Sequence, residues 1–151
     1  FARRKEQGEG GVESCQDFGM SAVLKLQATM ATLPQVELET KHYFSDGMYA
    51  RVLVMPKGCV VVGKKHLKGH FFIVSKGRVS LAGTEEARIM EAGAVHISTP
   101  GEKRAIVAME DSIIMTVHKT KKRNIDAIER QLIANDTLAL FDAGNKLRAL
   151  Q

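Results

Sequence analysis

Cysteine is scarce in this chain: Cys15 sits in a polar, glycine-rich region and Cys59 inside an apolar run, and two such residues make no disulfide framework. That suits a reducing compartment and makes Cys59 a small buried hydrophobe. Tryptophan is absent and only two tyrosines occur, which removes the aromatic platform that single-stranded nucleic acid needs. No apolar run approaches the roughly twenty residues that span a bilayer, and the polar N-terminal stretch has no apolar signal segment. Also missing are a glycine-rich phosphate loop, a Gly-x-Ser-x-Gly elbow, a Cys-x-x-Cys pair and an acidic dyad in a recognisable setting. These absences predict a soluble protein, cytoplasmic at synthesis, with neither membrane nor nucleic acid as partner.

What remains is one domain's worth of chain. Its 151 residues can bury a core without disulfide or metal staples. The net charge of +5 favours acidic partners without naming one. Residues 1–19 are polar and charged, with Gly8, Gly10 and Gly11 close together, and predict a flexible arm unless a partner orders it. The composition changes at Met20, so either the chain is trimmed or Met20 is the natural start and the arm an extension. Within 20–35, Ser21 as N-cap and the spacing of Val23, Leu24, Leu26, Met30 and Leu33 predict a short amphipathic helix that Pro34 stops.

Residues 36–120 read as β. Apolar runs recur every eight to twelve residues between turn signals at Asp46-Gly47, Pro56-Lys57-Gly58, Gly69, Lys76-Gly77, Gly83, Gly93 and Pro100-Gly101. The predicted strands are 49–55, 59–62, 71–74, 79–81, 95–98, 105–109 and 112–117. No segment between them could hold a crossover helix, so the sheet is mainly antiparallel. After the basic run from Lys119 to Arg123, Asn124 caps a predicted helix with Ile125, Ile128, Leu132 and Ile133 on one face. Leu138, Leu140, Phe141, Leu147 and Leu150 predict a second, which makes 121–151 a C-terminal helical segment. Such helices cover either their own barrel or another subunit.

Two glycine-framed stretches carry the strongest motif signal. Gly58, Lys64, His66, His70 and Gly77 occupy the register of the first cupin motif, with Lys64 in place of its first His and His70 in place of its Glu. Gly93, Thr99, Gly101 and Arg104 occupy that of the second, with Arg104 where its His would be. The chain therefore resembles the cupin superfamily over about residues 36–120. The resemblance implies a mainly β fold, a small antiparallel jelly-roll barrel, here with short N-terminal and C-terminal helices. The strings from Glu39 to Phe44 and from Asp46 to Arg51, with His66, His70, Val74 to Gly77 and Pro100 to Arg104, are also similar to small cupin-like proteins encoded in tailed-phage genomes.

The resemblance points His66 and His70 into the barrel, and His118 could join them if the last strand passes beside the one carrying His70. Neutral imidazole suits Zn, Fe, Ni or Cu. The expectation is either no cofactor or one divalent ion of the Zn, Fe, Ni or Mn kind on His66, His70 and His118. Lys64 and Arg104 oppose a cation there and could instead grip a carboxylate or phosphate. His42 and His96 read as surface or satisfied histidines, and Glu85-Glu86 as a hairpin tip. No residue is assigned a catalytic role. Two functions follow. The first is a non-enzymatic structural or assembly protein, phage-encoded and virion-associated, homo-oligomeric and touching other phage structural proteins through its terminal segments. The second is a metal-dependent cupin of dioxygenase or isomerase type, acting on or binding a small molecule.

Overall fold

Alternation of apolar and polar side chains between glycine-marked turns builds nine strands between Thr40 and Lys119 in the computed structural model, which describes residues 15–83, 86–135 and 139–149, the first five of them by backbone alone. They are β1 (Thr40–Ser45), β2 (Met48–Met55), β3 (Val60–Val62), β4 (His70–Lys76), β5 (Arg78–Ala82), β6 (Arg88–Glu91), β7 (Val95–Ser98), β8 (Ala105–Ala108) and β9 (Ser112–Lys119). One sheet has the order β1-β2-β9-β4-β7, the other β3-β8-β5-β6. Every strand pairing is antiparallel. The two sheets face each other in a jelly-roll arrangement.

The strands the sequence did not reveal are β1 and β6. Both are edge strands, and their charged or polar residues (Lys41 and His42, Arg88 and Glu91) break the apolar run that marks a central strand.

Inside the barrel, register sorts the side chains by polarity. Leu53, Ile114 and Val74 lie side by side across β2, β9 and β4, and belong to a core that also holds Met55, Phe72, Val79, Leu81 and Met90. Two residues further along the strands, Arg51, Thr116, Phe72 and His96 form the next row. Beyond it Tyr49 faces His118, and His70 faces Ser98. One end of the interior is hydrocarbon and the other polar.

Helix α2 (Ile125–Leu132) closes over the polar end. Asn124 caps it, accepting a hydrogen bond from the Ala127 N–H at 3.0 Å. Its buried Ile128 and Leu132 pack on Tyr49, with Phe44 and Ile133 alongside. The backbone N–H of Leu67 donates to Leu132 O at 2.8 Å and that of Ala134 to Lys65 O at 2.9 Å, which ties the 63–69 loop to the helix end.

Three expectations need correction. Helix α1 runs Cys15–Met30, so it begins before Ser21 and takes residues 15–19 out of the expected arm; residues 1–14 lie outside the described residues. Gly19 costs such a helix about 1 kcal/mol, which a sixteen-residue span can absorb. It also stops at Met30, where the Thr32 and Leu33 N–H groups turn to partners three residues back. The second C-terminal helix does not form among residues 139–149. Asp142 Oδ1 instead accepts from the N–H groups of Gly144 and Lys146, both at 2.9 Å, and Asn145 takes φ +66°. This Asx-type turn outcompetes a helix through Gly144. The tail bridges Phe141 to Leu147 and anchors on Glu37, which accepts from the Leu147 N–H at 3.0 Å and from Lys146 Nζ at 2.9 Å. Among the described residues no helix is long and apolar enough to cross a membrane.

Gly77 is the most constrained turn glycine. At φ +80° it joins β4 to β5, and an added Cβ would meet the Ser112 hydroxyl and lie 2.5 Å from Asp111 O. Gly77→Ala is expected to cost about 2–5 kcal/mol, combining left-handed strain with overlap. Chemical denaturation checks this: a midpoint lower at unchanged m value is the expected outcome, and an unchanged midpoint contradicts it.

Candidate metal centre

Three histidines from distant parts of the chain meet at the polar end of the barrel. His70 opens β4, His118 lies near the end of β9, and because β4 and β9 are paired the two become neighbours on the inner face. His66 comes from the loop before β4, pinned by a bridge to Ile133 and by the Gly101 N–H, which donates to His66 O at 2.8 Å. Ring centroids are 4.1 Å apart for His66 and His70, 4.6 Å for His70 and His118, and 5.3 Å for His66 and His118. One nitrogen from each lies within 4.8 Å of the others.

Burial is the main force on their protonation. It drives the pKa of His66 down to about 2, His70 to about 4 and His118 to about 3. Mutual repulsion adds to this for His66 and His118, and the Arg104 charge for all three. At neutral pH all three are uncharged donors. Two are also oriented: His70 Nδ1 faces Lys68 O at 3.4 Å, and His118 Nε2 shares a hydrogen bond with Thr116 Oγ1 at 3.0 Å. Such outer contacts fix ring rotation in metal sites.

Cationic groups stand beside the triad. The Arg104 side chain lies over the Phe72 ring, its carbon 5.3 Å from the centroid. Its Nη2 binds Ser98 Oγ and lies 3.2 Å from Glu102 Oε2, while Nη1 is buried without a partner. Burial would raise Glu102, but the Thr99 N–H, His96, the Thr99 hydroxyl and Arg104 together hold its carboxyl below the usual range. Tyr49 completes the wall: its hydroxyl shares a 2.6 Å hydrogen bond with His42 Nδ1, and its ring stacks 5.8 Å from that of His118.

No protein-family model and no curated protein matches this chain. Solved structures do. A cupin superfamily protein from Desulfitobacterium hafniense DCB-2 superposes with a TM-score of 0.51 at 9% identity, over 62% of this chain and 87% of that one. KdgF from a Halomonas species gives 0.51 at 15%, over 60% and 87%. The DMSP lyase DddQ from Ruegeria pomeroyi DSS-3 gives 0.51 at 13%, over 58% of this chain and 49% of its own. This chain has the cupin fold.

The cupin barrel brings His66, His70 and His118 together, and it separates the two cations expected to act as a pair. Lys64 Nζ is engaged by Glu129 Oε1 and by Phe141 O at 3.1 Å, and lines a cleft with Arg130 and Arg148. Arg104 lines a different one with Arg88, His96 and Glu102. Lys64 therefore fastens the tail to α2. His42 and His96 are satisfied by Tyr49 and by Glu102 at 3.1 Å. Glu86 is exposed beyond β5, and Glu85 lies outside the described residues.

Sequence reasoning missed Tyr49, Arg51 and Thr116. One signal was available: Arg51 alternates in step with Tyr49, Leu53 and Met55, so a charge stands on the inward face of an otherwise apolar strand.

The depressed imidazoles set a pH dependence. Between the unfolded value of about 6.5 and the folded values, the unfolded chain binds protons that the native state refuses, so stability falls with falling pH. Thermal unfolding of the metal-free protein is therefore expected to show a midpoint flat above about pH 7 and dropping steadily toward pH 4. The His118→Asn variant should show a shallower slope. A midpoint constant from pH 7 to 4 contradicts the assignment.

Proposed function

We propose that this protein is a metal-dependent cupin in which His66, His70 and His118 hold one divalent transition ion and a small molecule binds beside it. The carrying observation is the meeting of three uncharged imidazoles in one buried cluster. Nitrogen donors within 4.8 Å of one another can close on an ion at about 2.0–2.1 Å per bond through modest ring rotations. A three-imidazole set suits Zn, Fe, Ni or Cu over Mn or Mg, and three protein ligands leave a position open for substrate. Arg104 weakens cation binding, and its ion pair with Glu102 partly offsets that.

The bound ion would supply Lewis-acid polarisation of a substrate oxygen. This chain's own groups do the rest. Helix α2 packs on Tyr49 beside the triad, and Thr116 and Lys68 O hold His118 and His70 in place. Tyr49 keeps its proton, since burial raises its pKa, and holds its hydroxyl on His42 Nδ1 with its ring stacked on His118.

Metal analysis of the purified full chain after growth with supplemented zinc, iron and nickel tests this. About one ion per chain is expected, with His70→Ala lowering affinity more than about 100-fold, beyond the cost of losing an outer contact. A content below about a tenth of an ion per chain, not restored by added metal, overturns the reading.

A structural or assembly role, in a tailed-phage particle as the motif resemblance suggests, is the second reading, and a different observation favours it. The outer face of the five-stranded sheet carries two apolar rows, Val117-Phe71-Ile97 and Met115-Ile73-Val95. Phe71, Val95 and Ile97 are 48%, 55% and 68% exposed. A sheet with one solvated face ordinarily turns polar residues outward, and an apolar patch of this kind marks a partner surface. Light scattering at about 100 µM is expected to give a dimer or larger, and Ile97→Lys a monomer. A monomeric wild-type protein removes the homo-oligomer from this reading.

A further inference from the structure

We propose that the small molecule bound in this barrel carries a carboxylate and that Arg51 holds it; this rests on the small-molecule reading above and names its substrate class. Arg51 projects from the middle of β2 on the same face as Tyr49 and Leu53, which puts it on the barrel interior. Across the sheet it stands opposite Thr116 on one side and His42 on the other. Among the described residues no carboxylate pairs with it and no hydrogen bond reaches it, although every other inward-facing polar group of the cluster except His66 and Arg104 Nη1 has a partner. It is only partly buried. A guanidinium with no protein counter-charge is open to charge-assisted hydrogen bonds with an anionic ligand.

Charge count narrows the ligand. Around the imidazoles, Arg104 acts on all three, Arg51 on His66 and His118, and Glu102 and His96 on His70. Two guanidiniums less one carboxylate leave one positive charge. Arg104 is 7% exposed and adds its unpartnered Nη1 to the same side of the balance. A divalent ion on the triad would add to this positive charge, so the site favours an anionic ligand. The planar fork of Arg51 matches a carboxylate in bidentate geometry, which a lysine could not do, and phosphate is the competing anion that the test separates.

Titration calorimetry of the full chain, zinc-loaded and metal-free, tests this with three probes: glycolate, its uncharged analogue glycolamide, and inorganic phosphate. Glycolate is expected to bind the wild-type protein at least about 10-fold more tightly than glycolamide, and Arg51→Gln to weaken glycolate about 10–100-fold with glycolamide unaffected. Arg51→Lys keeps the charge without the fork and should fall between, which separates recognition from a general loss of folding. Zinc content of Arg51→Gln should equal that of the wild type. Equal glycolate affinity in wild type and Arg51→Gln, equal affinity for glycolate and glycolamide, tighter binding of phosphate than glycolate, or no glycolate binding at all overturns the inference. The two readings fail separately. If no zinc binds but glycolate still binds with this dependence on Arg51, the metal reading falls and the carboxylate stands; if zinc binds and glycolate ignores Arg51, the reverse holds.

Discussion

The pairing of β4 with β9 is the constraint on which the rest of the site depends. These strands are separated by β5 to β8 in the chain, and only their antiparallel ladder sets His70 beside His118. The same ladder sets Phe72 beside Thr116 and Val74 beside Ile114, so one register fixes both the hydrophobic core and the polar row above it. Slipping β4 by one residue would turn His70, Phe72 and Val74 outward together, away from His118 and Ile114. Core stability therefore protects the geometry of the histidines. The bulge between Val74 and Lys76 takes up irregularity at the far end of the ladder, away from the triad.

The interior is divided between two kinds of chemistry. At one end, Met55, Phe72, Val74 and Val79 are sealed from solvent. At the other, three imidazoles stay neutral because burial and neighbouring charge oppose protonation. Neutrality is what makes them donors for a metal, and it is also what lets them sit together without mutual repulsion. The guanidiniums of Arg51 and Arg104 make the surroundings electropositive, which disfavours a metal and favours an anion at once. A divalent ion with an anionic ligand satisfies both demands. Helix α2 shields this arrangement, with Ile128 and Leu132 packed over Tyr49.

Much of this was legible in the residues. The glycines at 58, 77, 93 and 101 take positive φ, and their spacing marked the turns between strands. Asn124 capped its helix as its position before an amphipathic run predicted. The edge strands β1 and β6 were hidden because their polar residues weaken periodicity, and the tail was misread because leucine spacing was weighed above Asp142, Gly144 and Asn145, whose turn chemistry wins locally. For the site, His66 and His70 were marked by motif register and His118 by a conditional guess about strand order. Nothing in the local sequence of Lys64 shows that Glu129, sixty-five residues on, is its partner.

By itself the sequence determined the antiparallel β class, the turns and the inward alternation along each strand, because these follow from side-chain period and from glycine's freedom at positive φ. Which strands became neighbours was decided only by the tertiary structure, since side chains of equal hydrophobicity are interchangeable until sheets close around a common core. That closure placed His118 against His70, left Arg51 without a counter-charge and spent Lys64 on the tail. Long-range charge pairing and solvent exclusion depend on distances that no stretch of sequence contains.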